Sequence, residues 1–391
     1  MIKNLYDENI AKKYEKDPLK MRIYTSRLIG VDDNLVLHGG GNTSVKIEDY
    51  LFVKGSGWDL SSIEEAGFPA VRLDALKEMA KREKLSDSLM VKEQKEAMRD
   101  KSFPNPSIEA ILHAVIPCKF VDHTHADAVV TITNTPNGKD LIKDIYGDAV
   151  LIIDYVMPGF ILAKEIYEKT KGIDWDKIEA IILLNHGVFT FDDDAKKSYD
   201  KMIDIVNRAE KFLEQNANIT IKQKEYEEIP NDELLELEKE ISALRGKPVK
   251  AKIIEDETAK YFSSLENMRS IIKNGPLTPE HVIRTKPFPL VIEDDINQAL
   301  KRFVKEYKEY FDKFAKDEIM LDPAPRYAVY KNRGVITLGS DEKETKVLQD
   351  IVSHTIKAML KTQMLGGWKS LKQKDIFDME YWELEQAKLR K

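Results

Sequence analysis

Two histidines separated by one residue, in a strand-like segment, constrain the fold more than any other feature of this sequence. The segment, residues 120–130, carries His123-Thr124-His125 among β-branched and apolar residues. Alternate residues of a β-strand share a face, so His123 and His125 can point at one ion. Neutral imidazole is a common ligand of zinc and of related metals. The segment therefore predicts part of a metal site carried on a strand.

A third histidine follows a second strand-like run further along the chain. Residues 180–184 are all apolar, and the run ends in Asn185-His186-Gly187. A His-x-His pair alone is more often a packing or surface feature than a metal site, but a third histidine at a strand end favours the metal site. Three imidazoles with an open fourth position are typical of a catalytic metal site, whereas structural sites are closed by four protein ligands.

Two glycine-rich loops follow strand-like segments in the first part of the chain. The first is His38–Ser44, with three consecutive glycines, and the second is Lys54–Trp58. Flexible backbone, exposed N–H groups and hydroxyl side chains suit an anion such as phosphate. A tight hairpin loop is the structural alternative for the first of them. Neither loop is a Walker loop, and no Gly-x-Gly-x-x-Gly opens a helix, so we expect no nucleotide cofactor.

A short helix is predicted immediately before the His-x-His strand. Asn105 can cap it, Pro106 suits its first turn, and Pro117 marks its end. Glu109 then lies in the first turn, where the helix dipole favours an ionised carboxylate. A stabilising first-turn residue is the ordinary interpretation. An acid/base role is the alternative, because this helix leads directly to the histidines.

Composition limits the class of protein. The chain has 391 residues, enough for two domains, and a formal net charge of −7, which implies no general affinity for nucleic acid. Its one cysteine, Cys118, excludes a disulfide framework and indicates a reducing compartment. No signal peptide and no apolar run long enough to span a membrane is present. We therefore expect a cytoplasmic protein.

An internal echo suggests how the second half is built. Residues 327–341 parallel residues 180–194, with Asn, Gly, Val, Thr and Asp recurring in place, but Arg333 stands where His186 stood. A predicted capped helix follows both copies. We interpret the second half as a degenerate copy that has lost the metal ligands. The predicted organisation is a metal-dependent domain at residues 1–220, a charged and partly helical connector at 221–245 and a smaller domain at 246–391.

Together these motifs resemble the class II aldolase/adducin family. The resemblance covers about residues 20–215 and rests on five motifs in the family's order: Gly39-Gly40-Gly41-Asn42, Gly55-Ser56-Gly57, Pro106-Ser107-Ile108-Glu109, His123-Thr124-His125 and Asn185-His186-Gly187. The second half, with residues 322–326 and 365–368, resembles the region after the aldolase module in bifunctional rhamnulose-1-phosphate aldolase/short-chain dehydrogenase proteins. Those proteins continue into a nicotinamide-binding domain. This chain stops before it, so dehydrogenase activity is expected to be absent or supplied by a separate partner.

The resemblance implies a fold and a set of site residues. The fold is a three-layer α/β/α class II aldolase-like domain with a mainly antiparallel central sheet, followed by a smaller α/β domain. His123, His125 and His186 would bind a divalent metal, typically zinc, and Glu109 would be the acid/base residue. Five positions match those that hold substrate phosphate: Gly41, Asn42, Ser56, Gly57 and Ser107. The family often has a hydroxyl residue directly before the glutamate, and Ile108 departs from that pattern.

The resemblance also implies an activity. A ketose 1-phosphate, such as rhamnulose 1-phosphate, would be cleaved to dihydroxyacetone phosphate and an aldehyde through a metal-stabilised enediolate. Family members are usually homo-oligomers with sites at subunit interfaces, and Tyr155 is the candidate for a residue contributed by another subunit. Three alternatives stay open: a sugar-phosphate epimerase or dehydratase of the same family, a non-catalytic adducin-like interaction protein, and a metal-binding scaffold without chemistry. The sequence does not specify the sugar, the metal, the subunit number or the role of the second half.

Overall fold

The computed structural model describes residues 1–221 and 225–384. These residues form two compact units. The first unit comprises Met1–Thr133 and Asn137–Leu213, and the second comprises Asn134–Pro136 and the described residues from Glu214 onward. In the described part of the chain, no helix combines the length and the apolar character needed to cross a bilayer.

The first unit is built on a seven-stranded sheet with the order β3-β2-β1-β4-β7-β6-β5. Its strands are β1 Asn42–Ile47, β2 Tyr50–Val53, β3 Ala70–Arg72, β4 Phe120–Thr124, β5 Val150–Ile153, β6 Ala180–Leu183 and β7 Gly187–Asp192. Its helices are α1 Glu8–Ala11, α2 Pro18–Gly30, α3 Leu73–Lys81, α4 Asp87–Glu96, α5 Ala110–Val115, α6 Asp127–Thr133, α7 Gly138–Tyr146, α8 Phe160–Lys169 and α9 Ala195–Asn216. All neighbouring strands are antiparallel except β5 and β6.

Helices cover both faces of this sheet. On one face, α2 and α9 meet the sheet at Asp122, which contacts Arg22 of α2 and Ser198 of α9. On the other face, α5 and α8 pack on the apolar side chains of β4, β6 and β7 in a buried cluster that includes Leu112, Leu162, Ile166, Val121, Ile181, Phe189 and Phe191. The period of two along each strand separates these two sets of side chains. The predicted three-layer fold with a mainly antiparallel sheet is confirmed.

The histidine-bearing strand is shorter than the sequence pattern predicts. The pattern predicts one strand over residues 120–130, but β4 ends at Thr124 and α6 begins at Asp127. The β-branched residues Val129 and Val130 are fully buried in that helix. β-branched residues favour strands only where their surroundings are a pleated surface, and burial within a helical layer overrides that preference.

The helix before β4 also begins later than predicted. It starts at Ala110 with Glu109 as its N-cap residue, not at Pro106. The preceding residues pair instead with the second glycine-rich loop, because Ser56 N–H donates to Asn105 O (2.8 Å) and Ser107 N–H donates to Lys54 O (3.0 Å). These long-range hydrogen bonds hold the segment extended, so Glu109 lies at the junction of loop and helix.

Arg22→Ala is expected to be strongly destabilising. Arg22 Nη2 lies 2.5 Å from Asp122 Oδ1, and both side chains are completely buried. Removing the guanidinium leaves a buried carboxylate without its cation, which costs about 3–5 kcal/mol. Urea unfolding of the purified variant measures the change. The double variant Arg22→Met/Asp122→Leu should regain most of the lost stability, because it removes both charges; equal stability of the single and double variants would contradict this account.

The second unit has a four-stranded sheet with the order β8-β11-β10-β9. Its strands are β8 Lys250–Ile253, β9 Leu290–Ile292, β10 Tyr327–Tyr330 and β11 Gly334–Gly339. Its helices are α10 Asn231–Arg245, α11 Glu257–Ser263, α12 Met268–Ile272, α13 Val282–Thr285, α14 Ile296–Phe314, α15 Glu342–Gln363 and α16 Gln373–Glu380. The β9–β10 pair is parallel, and the other two pairs are antiparallel.

This order repeats four of the seven strands of the first sheet. The strands β4-β7-β6-β5 have the same sequence of neighbours, and in both sheets only the last pair is parallel. The two matching hairpins also turn alike: Asn185 has φ 60° and Asn332 has φ 62°, in the left-handed region. A 22-residue helix follows each hairpin, α9 in the first unit and α15 in the second. The similarity therefore extends well beyond the residues that match in sequence.

The segment predicted as a connector needs correction. Within it, α10 is a regular helix, and its Leu237 and Ile241 are fully buried in the core of the second unit. The described residues from Glu214 onward group with that unit, so the division falls before residue 220. Charged residues dominate the exposed face of α10 and concealed its apolar side in the sequence. Residues 222–224 of the predicted connector lie outside the described part of the chain.

Candidate metal centre and active site

The three histidines of the first unit come together where β4 and β6 end, in the interior of the strand order. His123 is the fourth residue of β4, His125 follows one residue after the strand, and His186 lies in the turn between β6 and β7. The strand order makes this possible, because β7 pairs directly with β4 and with β6. One ligand atom from each ring lies within 4.8 Å of the others. The histidine triad is positioned to bind a metal ion.

The donor set fits a metal such as zinc. Two nitrogens of a tetrahedral zinc site lie about 3.4 Å apart, since each Zn–N bond is about 2.0–2.1 Å. His123 Nε2 and His125 Nε2 are 3.0 Å apart. His123 Nδ1 lies 3.0 Å from Val188 O and can donate to it, which leaves the Nε2 lone pair for a cation. The ring also stacks on Phe189, with centroids 3.9 Å apart, so its orientation is held from two sides.

Two glycines allow the backbone to pass close to the triad. A Cβ on Gly41 would lie 2.6 Å from His123 O, and this residue has φ 61°. A Cβ on Gly187 would lie 2.3 Å from Thr124 O and 3.0 Å from His123 Cε1. The contacts with the backbone oxygens are shorter than a side chain can make. The glycines of these two motifs are therefore required by close packing around the histidines, whatever else they bind.

Glu109 faces the same histidines. The carboxylate is buried, with Oε2 3.4 Å from His123 Nε2 and Oε1 3.7 Å from His186 Nε2. Oε2 accepts a hydrogen bond from Asn42 Nδ2 at 2.7 Å. Oε1 is buried and has no hydrogen-bond partner among the described residues. The structure thus brings the predicted acid/base residue to the predicted metal ligands, with one oxygen held and the other open.

His113 takes part in this arrangement without joining the triad. It lies one helical turn after Glu109 and is completely buried, with Nε2 2.5 Å from Asn42 Oδ1 and Nδ1 2.8 Å from Ser44 Oγ. Burial, followed by the positive charges of neighbouring groups, holds the pKa of His113 well below its ordinary value. The helical spacing of Glu109 and His113 was visible in the sequence, but the contact with β1 was not.

The residues predicted to hold phosphate lie on three joined segments. Backbone hydrogen bonds link the second glycine-rich loop to Asn105 and Ser107, so the N–H groups of Ser56 and Ser107 are already used within the protein. Ser107 Oγ accepts from Glu109 N–H at 3.2 Å, and within the described part of the chain no other hydrogen bond engages the hydroxyl group of either serine. Ser56 and Gly57 are exposed, whereas Gly41 and Asn42 are buried. An anion would thus meet serine hydroxyls here rather than the backbone N–H groups of both serines.

Lys54 is a further residue of this region that the sequence interpretation missed. Its buried Nζ donates to Gly39 O at 2.8 Å and so joins the two glycine-rich loops. Burial lowers the pKa of Lys54 to about 8, although Asp59 and Glu109 act in the opposite direction. A cation beside two glycine-rich loops was detectable in the sequence as a lysine at a strand end, directly before Gly55-Ser56-Gly57.

Tyr155 lies two residues beyond the end of β5, at the sheet edge that carries His186. β5 and β6 run parallel, with Ile153 paired to Leu183 at their ends. The side chain of Tyr155 is partly buried. Its predicted role at a subunit interface stays a prediction.

Two family models match the chain. The model of the Class II Aldolase and Adducin N-terminal domain matches residues 21–213, and that of Aldolase class II, second domain, matches residues 228–389. This chain belongs to the class II aldolase family. The triad, Glu109 and both glycine-rich loops lie within the first match, and the second unit has a family model of its own.

Three similar proteins cover different shares of this member of the class II aldolase family. The chain is 30% identical to the uncharacterized oxidoreductase YuxG of Bacillus subtilis (strain 168), in an alignment that covers 100% of this chain and 60% of the relative. It spans only that part of this relative's length. Among solved structures, the N-terminal class II aldolase domain of a conserved protein from Thermoplasma acidophilum is 43% identical, with 55% of this chain and 100% of that chain covered and a TM-score of 0.49. L-fuculose-1-phosphate aldolase from Thermus thermophilus is 16% identical, with 50% and 95% covered and a TM-score of 0.33.

Proposed function

We propose that this protein is a metal-dependent aldolase that cleaves a ketose 1-phosphate, of the rhamnulose 1-phosphate type, to dihydroxyacetone phosphate and an aldehyde. The observation that carries the proposal is the placement of Glu109 against the histidine triad. A metal-binding scaffold without chemistry has no need of a buried carboxylate with one unpartnered oxygen beside its ligands. A sugar-phosphate substrate is consistent with the serine hydroxyls and the lysine that adjoin this site.

His123, His125 and His186 would hold a divalent cation, for which we propose zinc. The bound cation would supply positive charge that stabilises the negative charge developing on substrate oxygens as the carbon–carbon bond breaks. His123 is prepared for this role by the hydrogen bond from Nδ1 to Val188 O, which directs its lone pair at Nε2. The protein residues then have to bind the substrate and move protons.

Glu109 is proposed to carry the proton. Cleavage of the C3–C4 bond turns the C4 hydroxyl into an aldehyde carbonyl, with loss of its proton, and leaves C3 to take up a proton. Glu109 would deliver that proton to C3, or remove it in the condensation direction. The C4 hydroxyl proton would pass to water, and Tyr155 of a neighbouring subunit in a homo-oligomer is proposed to hydrogen-bond the C4 oxygen.

The substrate phosphate would lie among the joined loops. We propose that the hydroxyls of Ser56 and Ser107, the backbone at Gly41 and Gly57, and the Asn42 amide bind it. Asn42 Nδ2 carries two hydrogens and donates one of them to Glu109, which leaves the second for a ligand. Lys54, at the start of the second glycine-rich loop, would add positive charge where its ammonium group meets the first loop.

Phosphate binding is expected to weaken as the pH rises through about 8. The pKa of Lys54 is lowered to about 8, so its ammonium is lost from the free protein at a pH where an ordinary lysine stays charged. Loss of a charge-assisted hydrogen bond should weaken binding of inorganic phosphate about 10- to 100-fold. Calorimetric titration on either side of that pH measures it. Lys54→Met should bind weakly at every pH, and Lys54→Arg, which stays charged, should lose the pH dependence; a wild-type affinity that does not change with pH would contradict the assignment.

The test of the proposed function is cleavage of rhamnulose and fuculose 1-phosphates with and without EDTA. Formation of dihydroxyacetone phosphate, abolished by the chelator and restored by a divalent cation, is the expected result. Restoration with zinc, manganese, iron and cobalt in turn would identify the preferred ion. No cleavage by protein shown to contain metal would overturn the proposal, and isomerised or dehydrated sugar in the same incubations would place the chain with the epimerases or dehydratases.

We also propose that the second unit is a degenerate copy of part of the first. The shared strand order, the single parallel pair and the left-handed asparagines support this origin. Arg333, at the place of His186, pairs with Glu233 (3.0 Å) and Glu227 (3.1 Å) on the surface of its unit. An ion pair of this kind cannot replace a metal ligand, because a guanidinium has no lone pair to offer. The chemistry is therefore assigned to the first unit alone.

A further inference from the structure

A chain of hydrogen bonds reaches Glu109 from the interior of the protein. Asn42 and Ser44 lie two residues apart on β1 and so share a face of the sheet. Glu109 and His113 lie four residues apart and share a face of the helix segment. The two pairs alternate, so that Ser44 contacts His113, His113 contacts Asn42 and Asn42 contacts Glu109. All four side chains are buried.

The chemistry of the groups fixes which atom donates and which accepts in each of these hydrogen bonds. Asn42 Nδ2 donates to Glu109 Oε2 at 2.7 Å, so Oδ1 of the same amide faces His113. A carbonyl oxygen only accepts, and therefore His113 Nε2 must carry the proton. The neutral ring then has its lone pair at Nδ1, where Ser44 Oγ–H donates at 2.8 Å. With the proton on His113 Nε2, rotation of the amide by a half-turn would set its NH2 group against that N–H and its oxygen against the carboxylate, so both neighbours oppose the rotation.

The two oxygens of Glu109 consequently differ. Oε2 receives the Asn42 hydrogen bond in a fixed geometry, and it stays an acceptor whether the carboxyl group is charged or neutral. Oε1 is buried without a hydrogen-bond partner among the described residues and lies 3.7 Å from His186 Nε2. Both oxygens face the triad, since Oε2 lies 3.4 Å from His123 Nε2, but only Oε2 is held by Asn42. A proton on the carboxyl group therefore belongs on Oε1, which has no hydrogen-bond partner among the described residues.

We propose that His113 is a positioning residue, which locks the Asn42 amide as a donor to Glu109 Oε2, so that the proton exchanged with substrate is carried at Oε1. The inference rests on the proposed function for the identity of that substrate. The hydrogen-bond chain itself is independent of the reaction. His113 does not touch the reacting atoms, and its effect passes through Asn42.

A double-variant cycle tests whether His113 acts through Asn42. His113→Leu should lower kcat about 10- to 100-fold, as for other partners that orient a working group, with KM and bound metal little changed. Asn42→Ala should lower kcat at least as much and should also raise KM, because the Asn42 amide is proposed to bind the phosphate; the double variant should be no worse than Asn42→Ala alone. His113→Gln, which can still donate to Asn42, should regain most of the activity. Independent losses that multiply in the double variant would overturn the proposal.

A matched control and a second readout separate this proposal from a general effect of burial. His281→Leu removes another buried histidine, in the second unit, and should leave kcat unchanged. Nitrogen-15 spectra of the zinc-loaded protein should show His113 as a neutral ring protonated at Nε2, with that proton exchanging faster in Asn42→Ala. A ring protonated at Nδ1 or at both nitrogens would overturn the chain of hydrogen bonds.

Failure of the proposed function and failure of the proposed role of His113 give different results. If wild-type protein cleaves no sugar phosphate, the proposed function fails, and the spectra still decide whether the hydrogen-bond chain exists. If wild-type protein cleaves its substrate and His113→Leu retains full kcat, the function stands and the role of His113 is refuted. If His113→Leu does not fold, His113→Gln with and without Asn42→Ala completes the kinetic test.

Discussion

Glu109→Gln is expected to lower turnover about 100- to 10,000-fold, the usual contribution of a positioned acid or base. The amide is close in size to the carboxyl group and can accept from Asn42, but it cannot give up a proton to carbon. The buried position of Glu109 beside His123 and His186 excludes water as an equivalent replacement. Steady-state cleavage of the best sugar phosphate, with metal content measured on the same samples, provides the comparison.

The histidine triad should keep its metal in this variant. All three imidazole ligands remain, so bound metal per chain is expected to match the wild type within a small factor. Glu96→Gln, an exposed change on α4, serves as the control and should leave turnover unaltered. A Glu109→Gln protein with full activity would remove Glu109 from the mechanism, and one that is inactive but metal-free would make the residue a ligand instead.

His125→Ala is expected to remove metal and activity together. Substitution of residues that only orient a metal ligand weakens binding about 10- to 100-fold, and loss of a ligand itself should exceed that range. Only the imidazoles of His123 and His186 would remain from the triad. Dialysis against a buffered metal concentration, followed by metal analysis, gives the affinity directly.

The control for this variant is His354→Ala, on α15 of the second unit and outside the triad. It should bind metal as the wild type does. Because His125 is only partly buried, the loss of metal should occur without loss of the fold, and thermal unfolding of metal-free samples should show similar midpoints. Retention of wild-type metal by His125→Ala would show that the triad is not the metal site.

The predicted cluster of site residues depended on residue chemistry and local spacing. The His-x-His pair, the histidine at a strand end and the glutamate before the strand were each detectable because few residue types serve those purposes. Histidine ligands, a carboxylate and glycine-rich turns each form a short sequence motif that can be recognised without the structure. The alternation of side chains along a strand predicted that His123 and His125 share a face, and the three-layer fold followed from the family that these motifs resemble.

Contacts between residues distant in sequence decided where the helices and strands begin and end and which side chains are buried together. Residues 127–133 are helical despite their β-branched side chains, and residues 105–107 are extended because they pair with the loop at residues 54–56. The lowered pKa of Lys54 arises from burial, which no local pattern records. The charged sequence of α10 indicated a partly helical connector, but only the packing showed that this helix belongs to the core of the second unit.

The sequence by itself determined which groups can hold a metal and move a proton, because imidazole and carboxylate chemistry belongs to the side chains. Only the tertiary structure decided how those groups are oriented. The order of strands brings His186 to His123, and the packing of α5 on β1 places His113 and Asn42 behind Glu109. Orientation depends on hydrogen bonds between residues about seventy positions apart, and such pairings are set by the folded chain as a whole.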